Sequence, residues 1–131
     1  MIDSALWYAA RHLPVFPVHS VRDDATCDCG HPDCDSPGKH PWTEHGLLDA
    51  STDQEQITDW WGRWPNANIG LVTGKASGLI AIDIDPAKGG MTTWLDVRAD
   101  HEAPVTRESR TDGGGRHILF QHHGNSQVIK T

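Results

Sequence analysis

Cys27, Cys29 and Cys34 are the only cysteines in the chain, and all three lie inside eight residues. An odd number packed so closely makes a poor disulfide framework and a good metal site. The surrounding stretch, residues 22–42, is rich in Asp, Gly, Pro and Cys, so it needs something other than an apolar core to hold it. Three thiolates and one imidazole would complete a tetrahedral zinc site with no open position, so zinc is expected here in a structural role. His40 and His31 compete for the fourth place. His40 is preferred because closing the site from the far side pins the whole loop, whereas His31 lies in the turn between two sulfurs. The alternative is three reduced cysteines in a mobile loop.

With 131 residues the chain is long enough for one domain with a real core but not for two. A hydrophobic content of 37% with six tryptophans fits a globular protein. The start, Met1-Ile2-Asp3-Ser4-Ala5-Leu6-Trp7, has neither a basic region nor a cleavable apolar stretch. No apolar run approaches the roughly 20 residues a bilayer requires. A cytoplasmic chain without a membrane partner is expected. The net charge of −7 argues against a simple electrostatic DNA binder, although bound divalent cations would neutralise carboxylates locally.

The pattern predicts a helix from a cap at Asp3 or Ser4 through Leu13, and a short strand at Val15-Phe16-Pro17-Val18, on an edge because of its proline. Thr52 and Glu55 form a capping box before a helix carrying Ile57, Trp60, Trp61 and Trp64. Those tryptophans read as core first and as base-stacking platforms second. Strands are expected at 69–73 and 79–84, the second of them central in its sheet because it is almost continuously apolar. Gly89-Gly90 opens a helix, and residues 106–111 and 117–121 form two strands joined by Asp112-Gly113-Gly114-Gly115. The fold class is α+β, with a mixed, largely antiparallel sheet and flanking helices.

Asp83 and Asp85 close the most hydrophobic strand just before Pro86. Alternation puts both carboxylates on one face and Ile84 toward the core. Neighbouring carboxylates repel one another, and Mg²⁺ or Mn²⁺ shared with substrate phosphates relieves that repulsion. The competing reading is a solvated strand end. His117 follows three glycines and could meet a phosphate, although nine histidines in the chain dilute the signal of any one. Gly70 to Ala76 resembles a P-loop but has one spacer too few and Ala76 where Ser or Thr belongs. Neither G-x-S-x-G nor H-E-x-x-H occurs.

Taken in order, these segments resemble the bifunctional DNA primase/polymerase (prim-pol) domain of the archaeo-eukaryotic primase superfamily. The resemblance is carried by Phe16-Pro17-Val18, the cysteine loop running into Pro37-Gly38-Lys39-His40-Pro41, and Trp60-Trp61. It continues through Asn68-Ile69-Gly70-Leu71-Val72-Thr73-Gly74, Asp83-Ile84-Asp85 and Thr111-Asp112-Gly113-Gly114-Gly115-Arg116-His117. It implies an RRM-like catalytic sheet and two-metal nucleotidyl transfer to a 3′-hydroxyl, in the replication of a plasmid, phage or integrated element. On that template Asp83 and Asp85 match the metal-binding motif, and His117 matches the histidine that contacts the nucleotide's phosphates. Lys39, Gly114, Gly115 and Arg116 are weaker nucleotide-site candidates. Nucleoside triphosphates, a DNA template and primer, and a replicative helicase are the implied partners. Family members carry a third acidic residue after the histidine strand. Here residues 125–131 resemble the approach to it, and Asp112 is the last acidic residue, so a truncated domain with very weak or no activity alone is expected. The alternatives are a catalytically inactive zinc-containing nucleotide- or DNA-binding module and a structural zinc domain for protein contacts.

Overall fold

The computed structural model describes residues 1–102, 104–111 and 113–122. Its contacts divide the chain into two compact units, Met1–Val72 and a second beginning at Thr73. The fold is α+β, with three α-helices and two small antiparallel sheets where the sequence reading expects one.

In the first unit, helix α1 (Ile2–Ala9) turns Ala5 and Ala9 inward. It ends four residues earlier than expected and starts at Met1 without a side-chain cap. Strand β1 (Val15–Val18) pairs antiparallel with β2 (Asn68–Leu71), from Val15 opposite Leu71 to Val18 opposite Asn68. Phe16 faces Gly70, and its ring leaves no room for a side chain there. Helix α2 (Gln54–Arg63) supplies Ile57, Trp60 and Trp61 to a core completed by Ala5, Ala9, Val15 and Ala67. The buried Trp61 indole donates to the Ala67 carbonyl at 3.1 Å, which satisfies its one polar atom. Two of the helix's tryptophans are therefore core residues, as their spacing predicts. The capping box is displaced by one residue. Asp53, not Thr52, is the N-cap, and its carboxylate accepts from the Gln56 N–H at 2.9 Å.

In the second unit, β3 (Leu79–Ile84), β4 (Glu108–Arg110) and β5 (Arg116–Gln121) form a sheet in the order β3-β5-β4. Helix α3 (Gly90–His101) buries Trp94 against Ile84 and Ile118, with Met91 and Phe120 packed alongside. Gly89, at φ +72°, makes the left-handed turn into α3. The position of β3 corrects the sequence reading. Among the described residues it pairs with β5 alone, so β5 is the central strand, and Ile80 and Ile82 of β3 remain 38% and 37% exposed.

Candidate functional site

The cysteine loop leaves the end of β1 and returns beside it. Val18 bridges Pro41, the His19 N–H donates to the His40 carbonyl at 2.9 Å, and the Trp42 N–H donates to the Pro17 carbonyl at 3.0 Å. With its neck closed, the loop needs few apolar contacts of its own. Gly38, at φ +69°, is required where it lies, because a Cβ there would come within 2.7 Å of Val21.

Inside the loop, one ligand atom from each of Cys27, Cys29, Cys34 and His40 lies within 4.8 Å of all the others. His40 Nε2 is 3.2 Å from Cys27 Sγ and 3.5 Å from Cys34 Sγ. Zn–S bonds of about 2.3 Å and Zn–N bonds of about 2.0 Å separate tetrahedral ligand atoms by about 3.5–3.8 Å. The four residues therefore fit a structural zinc, and His40 takes the fourth place. His31 is exposed and outside the cluster.

The thiols are poised unequally. Burial pushes the Cys27 thiol up, but the Cys29 and Gly38 backbone N–H groups and the His40 ring outweigh it and bring its pKa down to about 6. At Cys34 the Ser36 N–H favours the thiolate, yet burial and the neighbouring Cys27 and Cys29 sulfurs prevail and hold its pKa above the ordinary value. One thiolate forms readily and the next resists, because each added negative charge opposes the following one. A cation at the centre removes that opposition.

Two residues the sequence reading passed over support the centre. His19 is 7% exposed, and its Nδ1 lies 2.6 Å from Asp28 Oδ1, while the Ser20 hydroxyl donates to Asp28 Oδ2 at 2.7 Å. Burial would raise the Asp28 carboxyl, but the Ser20 and His19 bonds more than offset it and hold the pKa below the ordinary carboxylate value. The His19 ring stacks on His40 (centroids 4.1 Å apart) and on Trp42 (3.6 Å), and Trp42 stacks on Trp64 (5.0 Å). Asp28 between two cysteines was the available signal, but only the fold shows what it binds.

In the second unit the sheet brings Asp83 and His117 together. They are direct partners across β3 and β5, with His117 Nε2 3.6 Å from Asp83 Oδ1, and both side chains are open to solvent. Pairing ends at Ile84, so Asp85 plays a different local part. Its Oδ1 accepts from the Ala87 N–H at 2.9 Å, capping the 3₁₀ turn Pro86–Lys88, and its Oδ2 is 3.9 Å from Lys88 Nζ. Gly90 is needed beside it, since a Cβ would lie 2.7 Å from the Asp85 carbonyl oxygen.

The remaining candidates separate. Arg116 stands on the face of β5 opposite His117 and is paired with Glu108 at 2.9 Å, so it does not join the Asp83–His117 row. Gly115 is required by packing, because a Cβ would come within 2.6 Å of the Ile84 carbonyl oxygen and 2.8 Å of Thr111 Oγ1. Gly114, at φ +77°, makes the turn and borders open space. Lys39 is exposed in the first unit, immediately before His40. Asp112 and residues 125–131 lie outside the described residues. Among the described residues, the groups of three or more side chains that could hold a metal are the cysteine centre and the adjoining His19, Cys27 and Asp28. Among those same described residues, Asp83 and Asp85 form no such group with a further ligand.

The family model for the bifunctional DNA primase/polymerase N-terminal domain matches residues 5–131. The chain belongs to that family. Comparison with curated proteins and with solved structures gives no match. The chain is thus a domain of the prim-pol type, and the family implies nucleotide and DNA substrates. No helix among the described residues is long and apolar enough to cross a membrane.

Proposed function

We propose that this prim-pol domain transfers nucleotides from nucleoside triphosphates to a DNA 3′-hydroxyl, during replication of a plasmid, phage or integrated element, with Asp83, Asp85 and His117 at its site. The observation that carries the reading is the direct pairing of Asp83 with His117 on an open sheet face, 3.6 Å apart. A carboxylate alone repels phosphate, and an imidazole alone binds it weakly. Side by side they suit a nucleotide that arrives with its own cation.

Asp83 and Asp85 are the residues that would hold Mg²⁺ or Mn²⁺, which would supply neutralisation of the charge on the attacking and leaving oxygens. His117 donates an N–H to a phosphate oxygen and orients the chain of phosphates along the sheet face. The 3′-hydroxyl oxygen bonds to the α-phosphorus and gives up its proton to water, as the bond to the bridging oxygen breaks and pyrophosphate leaves. With four protein ligands filling its coordination, a zinc in the cysteine centre would take no part in transfer. A replicative helicase is the proposed protein partner.

Titration calorimetry with a deoxynucleoside triphosphate and Mn²⁺ tests the site. Binding is expected in the parent chain and its loss in the Asp83→Ala, Asp85→Ala double variant. Unchanged binding in that variant would place the site elsewhere. Primer extension with Mn²⁺ then tests transfer, and binding without extension would mark a nucleotide-binding module.

A further inference from the structure

The charge of the chain is unevenly placed. Residues 1–72 hold eleven Asp and Glu against four Lys and Arg, whereas the remainder hold seven of each, so the whole net charge of −7 belongs to the first unit. That unit also carries a cavity of about 330 Å³, lined by Trp42, Trp60 and Trp64 and by Glu44, Asp49 and Gln56. None of the cysteine-centre ligands lines it, and among the described residues no Lys or Arg does. We propose that this cavity takes an arginine side chain from a basic segment of a partner protein, independently of the nucleotide site.

The lining suits a guanidinium. Trp64 ends the column of stacked rings: one face lies on Trp42, with centroids 5.0 Å apart, and among the described residues no ring covers the other. A planar, weakly hydrated cation stacks on an indole better than a compact, strongly hydrated ammonium does. Two carboxylates bordering one small space repel each other until a cation joins them. Asp49 takes the His45 N–H at 2.9 Å and lies 3.1 Å from the His45 ring nitrogen, which fixes its orientation and leaves each oxygen a further lone pair. Glu44 is exposed and has no partner among the described residues, and the same holds for the side-chain amide of Gln56.

The surroundings point to a polypeptide. Asp49 closes the 3₁₀ turn Gly46–Asp49, and Leu47 and Leu48 of that turn are 57% and 81% exposed. Apolar surface therefore borders the acid. A small free cation would leave both leucines in water, whereas a segment with an apolar residue near its arginine covers them. Trp and Arg are also the residues that dominate binding where a surrounding rim excludes water. A strand of nucleic acid is a poorer occupant, because its phosphates would approach a strongly negative unit.

The experiment is titration calorimetry of the full chain with a short capped peptide bearing one arginine between leucines, and with the same peptide bearing lysine or citrulline, the uncharged isostere. The parent is expected to bind the arginine peptide about tenfold or more above the citrulline peptide, the worth of one charge-assisted hydrogen bond, and above the lysine peptide as well. Glu44→Gln should remove most of that preference, and Gln56→Lys, which adds a like charge, should abolish binding of the arginine peptide; both change exposed residues. Leu48→Ser should weaken all three peptides by a common factor and keep the preference. A parent that fails to bind the arginine peptide, or binds the citrulline peptide equally, overturns the inference, as does a preference that survives both cavity variants. Free arginine binding as tightly as the peptide would mark a small-cation site, and displacement of the peptide by a single-stranded oligonucleotide would mark a base-binding site; either overturns the protein partner. Nucleotide binding at Asp83 and His117 is untouched by any of these results.

Discussion

His40 closes the cysteine centre from the far end of its loop, and the consequences can be measured one side chain at a time. Protein purified without added metal is expected to carry about one equivalent of zinc by elemental analysis. His40→Ala and Cys34→Ala should each lose most of it, while His31→Ala, altering an exposed residue outside the cluster, should keep it. Folded protein with no zinc would refute the assignment. Gly115→Ala should destabilise the second unit by about 1–3 kcal/mol in a denaturant titration, because the new methyl meets the Ile84 carbonyl, a backbone group that cannot rotate away. Asp49 reports on pH. The His45 backbone N–H, against partial burial, holds the Asp49 carboxyl below its ordinary value. A depressed carboxyl stabilises above its unfolded value of about 3.9 and loses that stabilisation as pH falls through the lower folded value. The His45 amide shift should accordingly move with a midpoint below about 3.9.

At the scale of elements, α2 shows what the sequence could and could not decide. Residues 51–56 contain two overlapping capping patterns, Thr52 with Glu55 and Asp53 with Gln56. Both satisfy the local chemistry, and tertiary packing of Ile57, Trp60 and Trp61 selects between them. Asp53→Ala should therefore cost about 1 kcal/mol in thermal or chemical unfolding, and Thr52→Ala much less. Strand β3 is a different case. Its apolar run correctly marked a strand, but hydrophobicity reports on burial and not on neighbours, so it could not reveal that β5 occupies the middle of the sheet. The Asp83–His117 pairing follows from that strand order. Spacing within one strand offered Asp83 and Asp85 as equals, and only the end of pairing at Ile84 separates their surroundings.

Across the whole chain, the family was legible because its motifs occur in order, although no single one is specific, and the division into two units was not, because no linker composition separates Val72 from Thr73. The cysteine centre belongs to the first unit and the Asp83–His117 row to the second. Removing zinc with a chelator is expected to speed amide hydrogen exchange in residues 19–42, while the β3 and β5 amides that pair with one another keep their protection. The column of rings from His40 through His19 and Trp42 to Trp64 adds a property of another kind. It stacks an indole on the imidazole that in turn lies against His40, so whatever fixes or frees His40 alters the surroundings of a natural fluorophore. Tryptophan emission becomes an intrinsic gauge of metal occupancy, readable in unlabelled protein while nucleotide is being added.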